Sequence, residues 1–290
     1  MVHRKPWQLA VSRLSSNKGA MVSFFIIVGY ILMALLPFVD FVGLKTSATL
    51  FNDETLKNTF APFTLEHPFG TDHVGRDVFA RAVMGTQVSL FLGFASGLML
   101  IPIAIVIGAI SGYYGGWIDE VAGYLMSVIV AIPGMLIILT LVQFGGRSFV
   151  MIAIAFAITG WVGLARVVRA TFLQAREYEY VLAARALGAS DFRIIFFHIL
   201  PNVFHFVIIT FVLNFVEVIK SEVFLAFIGL SVANIPSWGT MIDLSKQEVI
   251  AGNWQNLAGA TVFMWVFLAA LNIFGDGLRD ALDPKLRNKS

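Results

Sequence analysis

The chain has 290 residues, 58% hydrophobic and only 13% charged, with a mean hydropathy of +0.82, no cysteine and a formal net charge of +2. Soluble domains carry about 25% charged residues, so a soluble enzyme domain and a disordered chain are excluded, and so small a net charge gives no footing for nucleic acid. Without cysteine there are no disulfides, thiolate metal sites or cysteine nucleophiles.

The apolar residues come in blocks of about 20, the length a helix needs to cross about 30 Å of hydrocarbon. The first runs over 20–39, behind a cytoplasmic segment of residues 1–19 that carries Arg4, Lys5, Arg13 and Lys18. It is too long for the apolar region of a signal peptide and ends in Pro37-Phe38-Val39-Asp40, without a small-residue cleavage site, so it reads as a retained anchor. An extracytoplasmic segment follows over 40–86. Its polar stretch, Lys45 to Asn58, leads into HPFGTDHVGRDVFAR, His67 to Arg81. There Asp72, Arg76 and Asp77 can pair locally, or serve as a gate or docking point for a partner.

Further blocks lie over 87–111, 118–142, 149–170, 202–229 and 257–275, which makes six transmembrane helices and an all-α polytopic membrane protein. Pro102 and Pro133 fall inside two of them, where a kink is expected. Gly93-x-x-x-Gly97 and Gly108-x-x-x-Gly112 permit close helix packing. Residues 87–277 form the five-helix core, with an extracytoplasmic loop over 230–256 that holds Trp238. Trp7, Trp117, Trp238 and Trp254 fall near the expected membrane interfaces, as anchors.

An even number of spans puts both termini on one side, and the basic residues say which. Arg4, Lys5, Arg13 and Lys18 at the N-terminus, Arg166, Arg169, Arg176, Arg185 and Arg193 around the fourth connection, and Arg279, Lys285, Arg287 and Lys289 in or beside the 278–290 tail account for thirteen of the twenty. Both termini and the 171–200 loop are therefore expected in the cytoplasm.

That loop reads EYEYVLAARALGASDFRIIFFHILPN, Glu177 to Asn202. Its first part is free of Gly and Pro and rich in helix formers. Gly188 supplies a left-handed stop, and Ser190 or Asp191 caps a second short helix expected to run to His198 and end before Pro201. The small Ala183 and Ala184 permit close approach by another protein, and Val181, Leu182, Leu187, Ile194 and Phe197 offer apolar contacts. In the fifth span, Glu217 and Lys220 stand at i,i+3 and can pair, while Glu222 is a candidate for lining a path. The five histidines show no paired ligand spacing, and no GxxxxGK[ST] phosphate loop occurs, so the energy source must be another chain or a gradient.

The loop resembles that of the permease subunits of ATP-binding-cassette importers, whose pattern is Glu-Ala-Ala, three residues, Gly, nine residues, Ile, any residue, Leu-Pro. Ala183, Ala184, Gly188, Leu200 and Pro201 match it, whereas Leu182 replaces the glutamate and His198 the isoleucine. His67 to Arg81, SGYYGGWID (Ser111 to Asp119), LAFIGLSV (Leu225 to Val232), PSWGTMI (Pro236 to Ile242) and GDGLRDALDPKLR (Gly275 to Arg287) resemble the C-type permeases of dipeptide and oligopeptide importers.

The resemblance implies the type I importer fold with a cytoplasmic coupling helix, in a bacterial inner membrane. It implies ATPase coupling through Ala183, Ala184, Arg185, Gly188, Ala189, Ser190, Asp191, His198 and Pro201. The expected partners are a second, homologous permease subunit, two ATPase subunits that bind ATP and Mg, an extracytoplasmic substrate-binding protein and a peptide; no cofactor belongs to this chain. A nickel or metal-chelate permease shares these motifs. A gradient-driven transporter with Glu217, Lys220 or Glu222 as proton relay is the alternative from another class, although no inverted repeat is evident.

Overall fold

A computed structural model describes residues 6–39, 43–49, 55–233 and 235–282. Among these residues the regular structure is all helical, apart from an isolated bridge between Thr71 and Asp77, and turns and loops connect the helices. In chain order the helices are α1 (Pro6–Ser16), α2 (Lys18–Leu35), α3 (Leu44–Thr49), α4 (Val78–Tyr114), α5 (Gly116–Ala131), α6 (Gly134–Gly145), α7 (Phe149–Ala175), α8 (Glu179–Ala186), α9 (Asp191–Arg193), α10 (Leu200–Phe227), α11 (Trp238–Ile250) and α12 (Gln255–Leu282). A π-helical turn, Ile194–Ile199, joins α9 to α10.

Five stretches are long and apolar enough to span a membrane: α2 with its 3₁₀ extension, α4, α7, the run from Asp191 to Phe227, and α12. The bent pair α5 and α6 makes a sixth, with 79° between its halves. The break falls at Pro133, and Ile132 before it is extended (φ −93°, ψ 129°), as the crowding of a proline ring on its predecessor requires. At Pro102 α4 continues as one helix.

Two further features depart from the sequence expectation. The second span starts at Val78 rather than 87, because Asp77 caps it: its Oδ1 accepts the Ala80 amide at 2.6 Å. Within 230–256 lies α11, opened by a reciprocal pair of bonds between Ser237 and Thr240.

The chain divides into two compact units. One comprises residues 1–93, 147–149 and 216–290; the other comprises 94–146 and 150–215. In the first, α2 lies so close to α12 that a Cβ on Gly277 would stand 2.6 Å from that of Ala20. The buried Tyr30 donates to the Phe263 carbonyl at 2.8 Å and stacks on Phe267. Trp238 is completely buried against Gly85, and its indole N–H donates to the Ala82 carbonyl at 2.9 Å. It is an internal packing residue of this unit rather than a docking residue or interfacial anchor, since its ring fills the space that a side chain at Gly85 would need.

In the second unit, Gly108 and Gly112 press α4 onto α7. An added Cβ would lie 2.6 Å from the Ala165 carbonyl oxygen at one and 2.5 Å from that of Arg169 at the other. Residues four apart on a helix share a face, and side chains there would force the backbones apart. Leu100, Leu164, Val168, Phe172 and Ile199 complete a fully buried core.

Candidate functional site

The segment from Glu177 to Asn202 is a shaped ledge. Helix α8 ends in a Schellman turn: the Gly188 amide donates to the Arg185 carbonyl and the Ala189 amide to the Ala184 carbonyl, both at 3.0 Å. Gly188 stands at φ +81° with open space around its missing Cβ, so backbone conformation alone calls for glycine here. Ser190 is the cap of the next helix, its Oγ accepting the Arg193 amide.

Asp191 serves a different purpose. It accepts the Tyr113 hydroxyl at 2.7 Å, and the same phenol oxygen accepts Arg185 Nη2 at 3.2 Å while the guanidinium lies 5.6 Å above the ring. The bond to Tyr113, first, and the nearby Asp191 and Glu177 hold the Arg185 guanidinium above its ordinary pKa. Arg176 donates to the Tyr113 carbonyl at 3.4 Å, so the Tyr-Tyr-Gly-Gly turn after α4 is clasped from two directions. One helix further on, Arg169 and Asp119 form a bidentate ion pair, with Nη2 to Oδ2 at 2.6 Å.

The ledge does not end before Pro201. Through the π turn the Leu200 amide bonds to the Ile195 carbonyl, five residues back, and the chain enters α10 with Pro201 in its first turn. The wider turn carries the helix past a residue that has no N–H and whose ring would meet the carbonyl four residues earlier. Asn202 supplies a side-chain donor to the His198 carbonyl at 2.9 Å.

The apolar face also differs from expectation. Val181 and Ile194 are fully buried within the core of their own unit, so they are not offered to a partner. The exposed apolar residues are Leu182, Leu187 (88% exposed), Phe192, Phe196 and Phe197 (69% exposed), beside an exposed Ala183. Tyr113, Phe192 and Phe196 escaped the sequence reading. Tyr113 lies inside the Ser111 to Asp119 motif, which was the available signal.

A second cluster occupies residues 67–81. Asp72 is buried: its Oδ1 accepts the Val74 and Arg76 amides, and its Oδ2 accepts Arg76 Nε at 2.8 Å. Asp77 pairs with His67 at 2.7 Å rather than with Arg76, and His73 pairs with Glu248 of α11, also at 2.7 Å. Both histidines are thus held by carboxylates. In α10, Glu217 and Lys220 pair at 3.0 Å and are exposed, whereas Glu222 is 1% exposed, with neither carboxylate oxygen hydrogen-bonded among the described residues.

Residues 104–288 match the family described as binding-protein-dependent transport system inner membrane component, and residues 5–44 match the N-terminal transmembrane domain of oligopeptide transport permease C. The chain is 38% identical to the dipeptide transport system permease protein DppC of Bacillus subtilis, over 97% of its own length and 86% of that protein. It is also 38% identical to the oligopeptide transport system permease protein OppC of the same organism, over 97% and 90%. A chain of the MetNI methionine ABC transporter in inward-facing conformations superposes with a TM-score of 0.58 at 15% identity, covering 70% of this chain and 96% of that one, a likeness of fold.

Proposed function

Because the chain belongs to the inner-membrane component family of binding-protein-dependent transport systems, we propose that it is the C-type permease subunit of an importer for dipeptides or oligopeptides. It is a multi-pass inner-membrane subunit, and ATP hydrolysis belongs to partner chains. The peptide assignment is supported by the likeness to DppC and OppC over nearly the whole chain.

The observation that carries the mechanism is the ledge at 177–202. Its outward face presents Leu182, Leu187 and Phe197 to a partner, and its inward face is tied to the turn after α4 through Tyr113, Asp191 and Arg185. An ATPase subunit that seats this apolar face and moves on closing around ATP would displace the ledge and the ends of α4 and α10 together. Nucleotide state then biases an equilibrium between outward-open and inward-open arrangements. The placement of thirteen of twenty basic residues supports a cytoplasmic position for the ledge and both termini. The 67–81 cluster and α11 then face the delivery protein, and a second permease subunit, different from this one, completes the path.

The chain has no native cysteine, so a single introduced one reports contact cleanly. With the assembled transporter, Leu187→Cys should cross-link to the ATPase subunit, and the yield should change between nucleotide-free and ATP-trapped states. Trp265→Cys, exposed within α12, should give no such product. Equal yields at both positions would remove the ledge from the interface.

A further inference from the structure

A cavity of about 450 Å³ in the first unit lies among Arg76, Arg81, Arg147, Ser231, Thr240 and Ala48. That volume falls within the range of about 300–1,000 Å³ usual for small-molecule sites. Among the described residues its lining holds three arginines and no carboxylate. Arg81 is 3% exposed, and its Nε has no hydrogen-bond partner among the described residues. Its nearest carboxylate, Asp72 Oδ2, stands 3.7 Å away and is already bonded to Arg76 at 2.8 Å. The other acids around it are engaged too, Glu248 by His73 and Asp77 by His67. Arg147 donates one Nη to the Gly229 carbonyl at 2.7 Å, and its own carbonyl accepts the Ala233 amide, which fixes the 229–233 wall beside it.

A buried guanidinium with an unused donor is costly, and such a group calls for an explanation. Three guanidinium forks lie around this cavity with one shared carboxylate, Asp72, among the described residues, and the planar fork matches the geometry of a carboxylate. We propose that this cluster is a carboxylate-binding site that takes the free C-terminus of a short peptide; this rests on the reading of the chain as a peptide permease. The recess favours a chain end over a side chain on a folded protein. Arg81 sits at nearly zero exposure, and the surrounding Ala48, Ser231 and Thr240 leave room for a residue-sized group behind the carboxylate.

The test uses the assembled transporter in lipid nanodiscs, free of nucleotide and of delivery protein, with thermal unfolding followed against added trialanine, trialanine amide and acetate. Trialanine should raise the midpoint and the amide should not, and Arg147→Gln should weaken the apparent affinity about ten-fold. Arg81→Lys, which keeps the charge but loses the fork, should weaken it as well. Equal protection by trialanine and its amide overturns the proposal, and so does trialanine protection unchanged by both substitutions. Protection by acetate alone removes the peptide as occupant. ATP-driven peptide uptake by the same preparation separates the two readings. Uptake without carboxylate-dependent protection removes the site and leaves the permease standing, whereas protection without uptake of any peptide does the reverse.

Discussion

Gly188 and Tyr113 do different work at one place. At φ +81° a residue other than glycine costs about 1–2 kcal/mol, more when β-branched, a five- to thirty-fold shift in a two-state population. Gly188→Val should therefore leave the chain inserted and assembled but lower peptide transported per ATP hydrolysed by about that factor, while Gly188→Asn, which tolerates the left-handed region, should keep most of it. A coupling ratio in the valine variant equal to wild type would refute the assignment. The Tyr113 hydroxyl is held by a carboxylate and a guanidinium at once. Tyr113→Phe should cost about 1.5–3 kcal/mol of local stability, read as faster hydrogen exchange in the 185–193 backbone, with uptake falling more than ATPase rate. The glycine was legible in the sequence because a left-handed stop between two helix-forming runs has a local signature. The tyrosine was not, because its partners lie 72 and 78 residues away and nothing local marks a contact made by folding.

Among the elements, the crossing of α4 and α7 is the most exacting. Gly112 has a backbone carbonyl 2.5 Å from where a Cβ would sit, and backbone cannot yield as a side-chain tip can. Gly112→Ala should lower the melting point of the solubilised transporter, at a cost of about 1–3 kcal/mol. Gly123→Ala in α5, with nothing within 4 Å of its Cβ, should be neutral or slightly stabilising. If the two variants melt alike, the close approach is not what holds these helices.

The spacing of Gly108 and Gly112 announced that packing, and the 20-residue apolar blocks announced the spans. The features that stayed hidden came from pattern rules meeting exceptions. Pro201 reads as a helix stop, yet a π turn over Ile194–Ile199 carries the helix through it. Helix α11 is only 13 residues long and opens on Ser237 and Thr240 rather than the Ser and Glu of the usual box, so a short polar helix passed for a loop.

At the scale of the whole molecule charge is scarce. Charged residues make up only 13% of the chain, and most of the basic ones collect on the side where the ledge is placed. The same scarcity makes the Arg76, Arg81 and Arg147 cavity conspicuous, because Arg81 is buried there and a buried charge in such a chain has to be compensated. Within α10 the exposed Glu217 and Lys220 pair and the buried Glu222 are the groups that the proton-relay alternative would use, and a mechanism driven through the ledge gives them no part in the energetics. Glu217→Gln with Lys220→Met, which removes both charges together and so leaves no unpaired charge in the span, should leave ATP-driven uptake within about two-fold of wild type, because replacing a whole ion pair away from water is often near neutral. A loss beyond ten-fold would place the pair on the transport path.

The most direct test of a ledge that borrows its energy is peptide uptake into proteoliposomes that hold the complete transporter and its delivery protein, with ATP supplied on the side of the ledge. Uptake should require ATP, survive collapse of the proton gradient and fall with Gly188→Val. Uptake driven by a proton gradient alone, with no ATPase subunit present, would contradict this.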